Sequence, residues 1–295
     1  MKPNLFIIGA PKAGTTSLAY YLDQHKDVVV ANPKEPNFFC KDITRNYCSA
    51  NSLHEYVSNC FPNNYLDYKI VCDASVSSLY SKNAVDEIIK FNPQAMFIVM
   101  LRHPIDIVSS LHQQLVNARQ EDILNFETAW YIQEKRLTGK EIPASCQMPL
   151  ALQYGEFGKI GYQLDRLYKK VNKEKVKIIF YEDFSINTFG ELESVLDFLG
   201  LSINQEIDLT IKNESSGKKS YSLDALVYFI SKIKLFLGVK KSFGILKGIE
   251  RYNFSTQKRK PLSKVFINKL KIYYKDDIKL LEKITKRDLT NWYQY

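Results

Sequence analysis

The 295-residue sequence predicts an α/β fold: a P-loop-like parallel β-sheet flanked by helices, in a single domain over residues 1–295 whose C-terminal portion, 218–295, is basic and helical. Three observations predict it. Short apolar runs recur along the chain, each ending in Gly, Pro or a small-residue turn. Segments with apolar residues at helical spacing separate them. The first run meets a turn with two glycines that opens a helix. Strands that alternate with helices pair in parallel, because each crossover returns the chain to the same end of the sheet.

The elements follow in order. "NLFIIGAP" (4–11) is a continuous apolar run ending in Gly, as a strand covered on both faces requires. "TTSLAYYLDQH" (15–25) sets Leu18, Tyr21 and Leu22 at helical spacing. "VVVA" (28–31) is a short strand, and "KEPNFFC" (34–40) a Pro-containing loop. "YKIVCDAS" (68–75) is a strand entering a small-residue turn. "SKNAVDEIIKFNP" (81–93) is a helix closed by Asn92-Pro93. "QAMFIVMLRHP" (94–104) carries six apolar residues before Arg102 and then a Pro stop. "IDIVSSLHQQLVNAR" (105–119) is helical, with Pro104 suited to its first turn. "FETAWYIQEKRL" (126–137) and "IGYQLDRLYKKV" (160–171) are amphipathic helices. "KVKIIFYEDF" (175–184) is the last clear strand, and "FGELESVLDFLGL" (189–201) the helix after it. The loops 40–66 and 139–156 show composition only.

Composition bounds the function. Apolar residues make up 45 % and charged residues 25 %, an ordinary globular mixture. The net charge of +9 is uneven: residues 218–275 hold fifteen Lys/Arg against two acids, Asp224 and Glu250. That third calls for an acidic partner, whether anionic ligand, glycan, membrane surface or nucleic acid. The five cysteines, Cys40, Cys48, Cys60, Cys72 and Cys146, are odd in number and lack CxxC spacing, so reduced thiols are expected rather than a disulfide framework or zinc site. "MKPNLFIIGAP" is too short in its apolar run for a signal peptide, and no stretch of eighteen apolar residues occurs. The expected compartment is the cytoplasm.

Residues 9–18, "GAPKAGTTSL", pose the functional question. Gly9 and Gly14 have P-loop spacing, but Thr15 stands where that pattern has lysine, and the lysine is Lys12. A strand-to-helix turn of small residues is an anion site: the first N–H groups of the helix lack partners, and the helix dipole adds positive charge. The glycines allow close approach, Thr15, Thr16 and Ser17 add hydroxyls, and Lys12 adds a cation. Ordinary helix capping explains neither the glycines nor the lysine. The displaced lysine argues against a nucleotide triphosphatase; Glu182 and Asp183, which end an apolar strand, keep a Mg²⁺-holding role open.

Lys12-x-Gly14-Thr15-Thr16-Ser17-Leu18 after a strand resembles the 5′-phosphosulfate loop of sulfotransferases that use 3′-phosphoadenosine 5′-phosphosulfate (PAPS). "FIVMLRHPIDIVSS" resembles that family's 3′-phosphate motif: a strand, Arg-x-Pro, and a serine on the following helix, eight residues beyond the arginine. "KEPNFF" (34–39) is similar to the "KEPHFF" segment of the heparan-sulfate-type and related bacterial branch, with Asn37 in the place of the histidine. "CDAS" (72–75) resembles a turn near the acceptor, "NESSGKK" (213–219) a Gly/Lys loop over the 3′-phosphate, "YGEFGKIGYQLDRL" a family helix with Ile160 at its Tyr position, and "DLTNWYQY" the family's ending. The resemblance implies a sulfotransferase fold and in-line transfer of a sulfuryl group from PAPS to an acceptor hydroxyl, of a saccharide, leaving adenosine 3′,5′-bisphosphate, with no metal required. It implies that Lys12, Ala13, Gly14, Thr15, Thr16 and Ser17 hold the 5′-phosphosulfate, with Lys12 stabilising the leaving group. Arg102, Ser110, Lys218 and Lys219 then hold the 3′-phosphate, and Glu35 acts as base.

Two other classes compete. A P-loop nucleotide kinase or NTPase would need Mg²⁺ and ATP. A non-catalytic binder of an anionic polymer would use the basic third and has no use for Glu35 or for two phosphate motifs; nucleic acid is not expected as a partner. "ALVYFISKIKLFLGVKKSFGILKGIERY" (225–252) interleaves Lys with apolar residues. It is read as core-packing helices with a solvated basic face, a lid receiving an acidic sugar, or a peripheral contact with anionic membrane. The histidines His25, His54, His103 and His112 are expected to be structural or exposed rather than catalytic.

Overall fold

The computed structural model describes residues 2–43, 50–203, 206–210, 217–218, 254–255 and 261–295. The chain forms two compact units, one of residues 1–212 and 262–295, the other of residues 213–261.

The first unit is built on five parallel strands, β1 (Leu5–Gly9), β2 (Val28–Val30), β3 (Ile70–Asp73), β4 (Met96–Leu101) and β5 (Val176–Phe180), ordered β2-β3-β1-β4-β5. All five were expected from their apolar runs, and the parallel pairing follows from the crossovers. Register is set by Leu5 opposite Cys72 and Met96, Val28 opposite Ile70, and Phe97 opposite Val176. Strand β1 is central and fully buried. Its pairing with β4 slips between Ile7 and Gly9, a bulge that bends the chain as it leaves the sheet.

Helices α1 (Thr15–Asp23), α2 (Leu53–Cys60), α3 (Ala84–Phe91) and α4 (Pro104–Asn117) occupy the first half. Pro104 does open α4, where its missing N–H costs nothing. The segment 126–137 differs from its expectation of one helix: it is α5 (Phe126–Tyr131) and α6 (Gln133–Leu137), broken at Ile132. The Gln133 amide takes the Trp130 carbonyl at 2.7 Å and its oxygen accepts the Gly155 N–H at 2.6 Å, which replaces continuing helical bonds with a tie to the next segment. Then come α7 (Tyr154–Phe157), α8 (Ile160–Tyr168), α9 (Tyr181–Ile186), α10 (Thr188–Phe198) and α11 (Lys264–Thr285).

Helix α2 was not anticipated, α9 begins inside the segment 175–184 expected as strand, where the chain turns from the sheet after Phe180, and α11 falls in the C-terminal portion expected to be helical. Ser52 caps α2 by accepting the Glu55 N–H at 3.2 Å, and Ser263 caps α11 by accepting the Phe266 N–H at 3.1 Å. Helix α11 buries Phe266, Leu270, Tyr274, Ile278 and Leu281 and exposes Lys264, Lys269 and Lys275. It packs on α8 through Asp277, whose carboxylate accepts the Gly161 and Tyr162 N–H groups at 2.9 and 2.8 Å. No helix among the described residues is long and apolar enough to cross a membrane.

In the second unit, β6 (Gly217–Lys218) and β7 (Phe254–Ser255) pair antiparallel. The basic segment 225–252, and Cys48, lie outside the described residues.

Candidate anion-binding site at the carboxyl edge of the sheet

Because all five strands run the same way, the segments that follow them meet at one edge. Strand β3 lies on one side of β1 and β4 on the other, so the order reverses at β1. Such a reversal opens a crevice beyond the strand ends, where open α/β sheets take ligands. The loop carrying Lys12 and the residue Arg102 leave the sheet there.

The loop after β1 is shaped for close approach. Gly14 has φ +90°, in the left-handed region, and a Cβ there would stand 3.3 Å from Met100 Cε and 3.4 Å from Phe184 Cδ1 and Tyr181 Cδ2. Lys12 also has positive φ, +65°. Gly14 gives α1 no side-chain cap, and the first turn has no acidic residue, so the positive end of the helix is left uncompensated. Ala13, Thr15 and Ser17 are buried; Lys12, Gly14 and Thr16 are half-buried at the rim.

Arg102 joins this loop to β4. Its Nη1 donates to the Lys12 carbonyl at 3.0 Å, and its guanidinium lies 4.3 Å above the Tyr181 ring. Its Nε is 3.4 Å from Asp106 Oδ2, an ion-pair contact without hydrogen-bond geometry. Ser110, eight residues on, lies on α4 and is 3 % exposed, and its hydroxyl has no hydrogen-bond partner. Buried polar atoms are nearly always paired, so Arg102 Nε and Ser110 Oγ are donors held in reserve. These reserved donors, with the uncapped α1 and Gly14, fit an anionic nucleotide bearing phosphates at both ends.

The loop 34–39 is pinned to the same edge from the other side. Glu35 and Asn37 have φ +65° and +54°. The Asn37 amide donates to the Glu35 carbonyl at 2.8 Å, and its backbone N–H donates to Ser75 Oγ at 2.9 Å. Ser75 in turn donates its N–H to Asp73, which also accepts from Tyr56 at 2.7 Å. Burial pushes the Asp73 carboxyl up despite these bonds. Phe38 stacks on Tyr56 at 4.6 Å, which fixes the loop's far end. The Glu35 carboxylate is half-buried and paired with Lys34 at 2.7 Å. The turn after β3 reaches back to β1: Leu79 donates its N–H to Ile8, and a Cβ on Gly9 would come within 2.8 Å of Leu79 Cβ. Gly9 therefore lets the two halves of the edge close together.

Of the two lysines expected over the 3′-phosphate, Lys218 belongs to the second unit's ribbon and Lys219 lies outside the described residues. His103 caps α4: its Nδ1 accepts the Ile105 N–H at 3.1 Å, so Nε2 carries the proton and donates to the Trp292 carbonyl at 2.9 Å. Burial holds its pKa down, which keeps it neutral. His112 contacts the Ile123 carbonyl at 2.8 Å, and His25 accepts from Asp27 at 3.1 Å; both are buried in structural roles. Asp183, which a triphosphatase would recruit for Mg²⁺, is paired with Arg287. Sequence reasoning missed Tyr181 and Asp106. The available signal was position: an aromatic leaving the last strand at the ligand edge, and an acid four residues after the arginine.

Comparison with known proteins bears on the family and the fold. The sulfotransferase domain family model matches residues 2–225. Carbohydrate sulfotransferase 15 of Homo sapiens is 25 % identical over 269 residues, covering 74 % of this chain and 47 % of its own length. Human heparan sulfate glucosamine 3-O-sulfotransferase 3B1 is 27 % identical over 199 residues, covering 68 % of this chain and 46 % of its own. The chain thus spans less than half the length of these curated relatives. A sulfotransferase structure from Alicyclobacillus acidocaldarius superposes with a TM-score of 0.65 at 22 % identity over 99 % of both chains, which shows the shared fold. The chain belongs to the sulfotransferase domain family.

Proposed function

We propose that this chain transfers a sulfuryl group from PAPS to an acceptor hydroxyl of a saccharide. The observation that carries it is the join between two anion-binding features: Arg102, with its unused Nε, donates to the backbone of the Lys12 loop while Ser110 keeps a buried hydroxyl unpaired. One loop suits a single phosphate; the added arginine and serine suit a second, which PAPS has on its 3′ side. When bound, PAPS supplies the activated sulfuryl group.

This chain's residues supply position and charge. The N–H groups at the start of α1 and the hydroxyls of Thr15, Thr16 and Ser17 hold the 5′ side. Arg102 and Ser110 hold the 3′ side, where the planar guanidinium offers two parallel donors. Lys12 places positive charge where the leaving oxygen becomes anionic. Glu35 takes the proton of the acceptor hydroxyl, and Lys34 pairs with its carboxylate at 2.7 Å, which orients it. The saccharide acceptor is supported by the relatives' names, which are carbohydrate and heparan sulfate sulfotransferases.

Turnover of PAPS on de-O-sulfated heparin fragments tests the assignment. Lys12→Ala and Glu35→Gln should each lower kcat by about 10²-fold or more, and Glu35→Gln should bind adenosine 3′,5′-bisphosphate as the wild type does. Full turnover by Glu35→Gln would remove it as the base, and near-wild-type turnover by Lys12→Ala would refute the loop assignment.

A further inference from the structure

The segment 289–295 is fastened to both residues that flank the Arg102 motif. The Tyr295 hydroxyl donates to Asp106 Oδ1 at 2.9 Å, while Asp106 Oδ2 faces Arg102 Nε at 3.4 Å. The Tyr295 ring stacks on His103 at 4.4 Å with 25° between planes, and the Trp292 carbonyl receives the His103 Nε2 proton. The segment is itself anchored at its start. Glu282, on α11, accepts the Leu289 N–H at 3.0 Å and the Tyr293 hydroxyl at 2.9 Å. Arg287, just before it, pairs with Asp183 on α9, and Trp292 lies against Phe180 at the end of β5.

Asp106 is the carboxylate ion-paired with the Arg102 guanidinium, and it is a rival to any anion that Arg102 binds. Tyr295 draws on one of its oxygens. With Oδ1 taking that hydroxyl, Oδ2 stands at ion-pair distance from Nε without hydrogen-bond geometry. The ring stack on His103 fixes the backbone turn from which Arg102 projects.

We propose that residues 289–295 act as a positioning strap for Arg102, with Tyr295 restraining Asp106, and thereby set the protein's preference for nucleotides carrying a 3′-phosphate. The proposal rests on the reading that Arg102 takes the 3′-phosphate. Its signature is selective. The strap's hydrogen bonds and ring stack fall on His103 and Asp106, beside the arginine assigned to the 3′-phosphate, so its loss should weaken adenosine 3′,5′-bisphosphate and spare adenosine 5′-monophosphate. Generalised loosening of the fold would weaken both.

Calorimetric titration of the whole chain with these two nucleotides is the test, using wild type, Tyr295→Phe, Tyr295→Ala and Arg102→Ala. Tyr295→Phe keeps the ring stack and removes only the hydroxyl; it should lower bisphosphate affinity about three- to tenfold, the scale of one typical net hydrogen bond, with monophosphate affinity unchanged. Tyr295→Ala should lower it further, and Arg102→Ala should erase the preference. If Arg102→Ala erases the preference while both Tyr295 variants bind the bisphosphate like wild type, the strap is refuted and the donor-site reading stands. Equal losses for both nucleotides in the Tyr295 variants also refute the strap. If the wild type shows no preference, or Arg102→Ala retains it, both readings fall.

Discussion

Arg102 and Arg136 occupy two regions of one unit and are held in opposite ways. Arg136, on α6, has a fully buried side chain whose two terminal nitrogens grip Glu121 at 2.5 and 2.7 Å, while its Nε donates to the Glu141 carbonyl at 3.0 Å. Glu121 also accepts from Tyr154 at 2.6 Å and from the Ile123 N–H at 2.9 Å. Burial works against the Glu121 carboxylate, yet the bonds from Arg136 and Tyr154 hold its pKa below the ordinary range. Every donor there is spent on the fold. Arg102 stands at the ligand edge with one terminal nitrogen on a carbonyl, its plane on Tyr181 and its Nε in reserve. The difference teaches where to look for function in this molecule: a saturated buried pair fixes a segment, whereas a guanidinium at the sheet's carboxyl edge whose Nε makes no hydrogen bond keeps capacity for an anion.

The largest test of the contrast is Arg136→Met. It strands the Glu121 carboxylate in the interior and should cost about 3–5 kcal/mol of stability in a denaturant titration, with bisphosphate preference intact in the folded protein. Arg102→Ala should do the reverse, losing about 10²-fold in bisphosphate affinity while stability moves by less than about 1 kcal/mol. Comparable stability losses in the two variants would break the comparison. Arg102→Lys sharpens it: charge is kept and the fork is lost, for a fall of about tenfold.

The smallest effect concerns pH. Asp277 is buried with two N–H groups but no cation clasping it, and burial pushes its carboxyl up to about 6. Its folded pKa lies above its unfolded one, so the native state holds the proton longer, and its contribution to stability falls as pH rises from about 4 to about 6. Relative to Asp277→Asn, the wild type should lose about 3 kcal/mol across that window, read from denaturation midpoints at successive pH values. A difference that stays constant with pH would contradict this.

Much of the fold was legible because a parallel strand covered on both faces must be apolar throughout. Runs such as Leu5–Gly9 and Met96–Leu101 cannot be mistaken for amphipathic helix. Helix α11 was less legible because its lysines merge with the basic run before it; yet Phe266, Leu270, Tyr274 and Ile278 recur every four residues. The break at Ile132 was hidden because the side chain that stabilises it, Gln133, bonds to Gly155, distant in sequence.

Among the candidate site residues, Lys12 and Gly14 stood out from the strand-to-helix turn itself, whereas Arg102 and Ser110 were singled out through resemblance to a known motif. Tyr181, Asp106 and the 289–295 strap were not, since their meaning depends on which strand ends lie side by side. The pinning of Glu35 through Asn37 and Ser75 is likewise tertiary.

The central claim is that the carboxyl edge is built for a nucleotide with phosphates on both its 3′ and 5′ sides. Thermal melting of the whole chain with adenosine 3′,5′-bisphosphate, adenosine 5′-monophosphate, or ATP with Mg²⁺ tests it most directly. The account predicts that the bisphosphate, without added metal, raises the melting temperature most, since a ligand stabilises the native state in proportion to how tightly it binds. A shift with ATP and Mg²⁺ equal to or larger than that with the bisphosphate would contradict it.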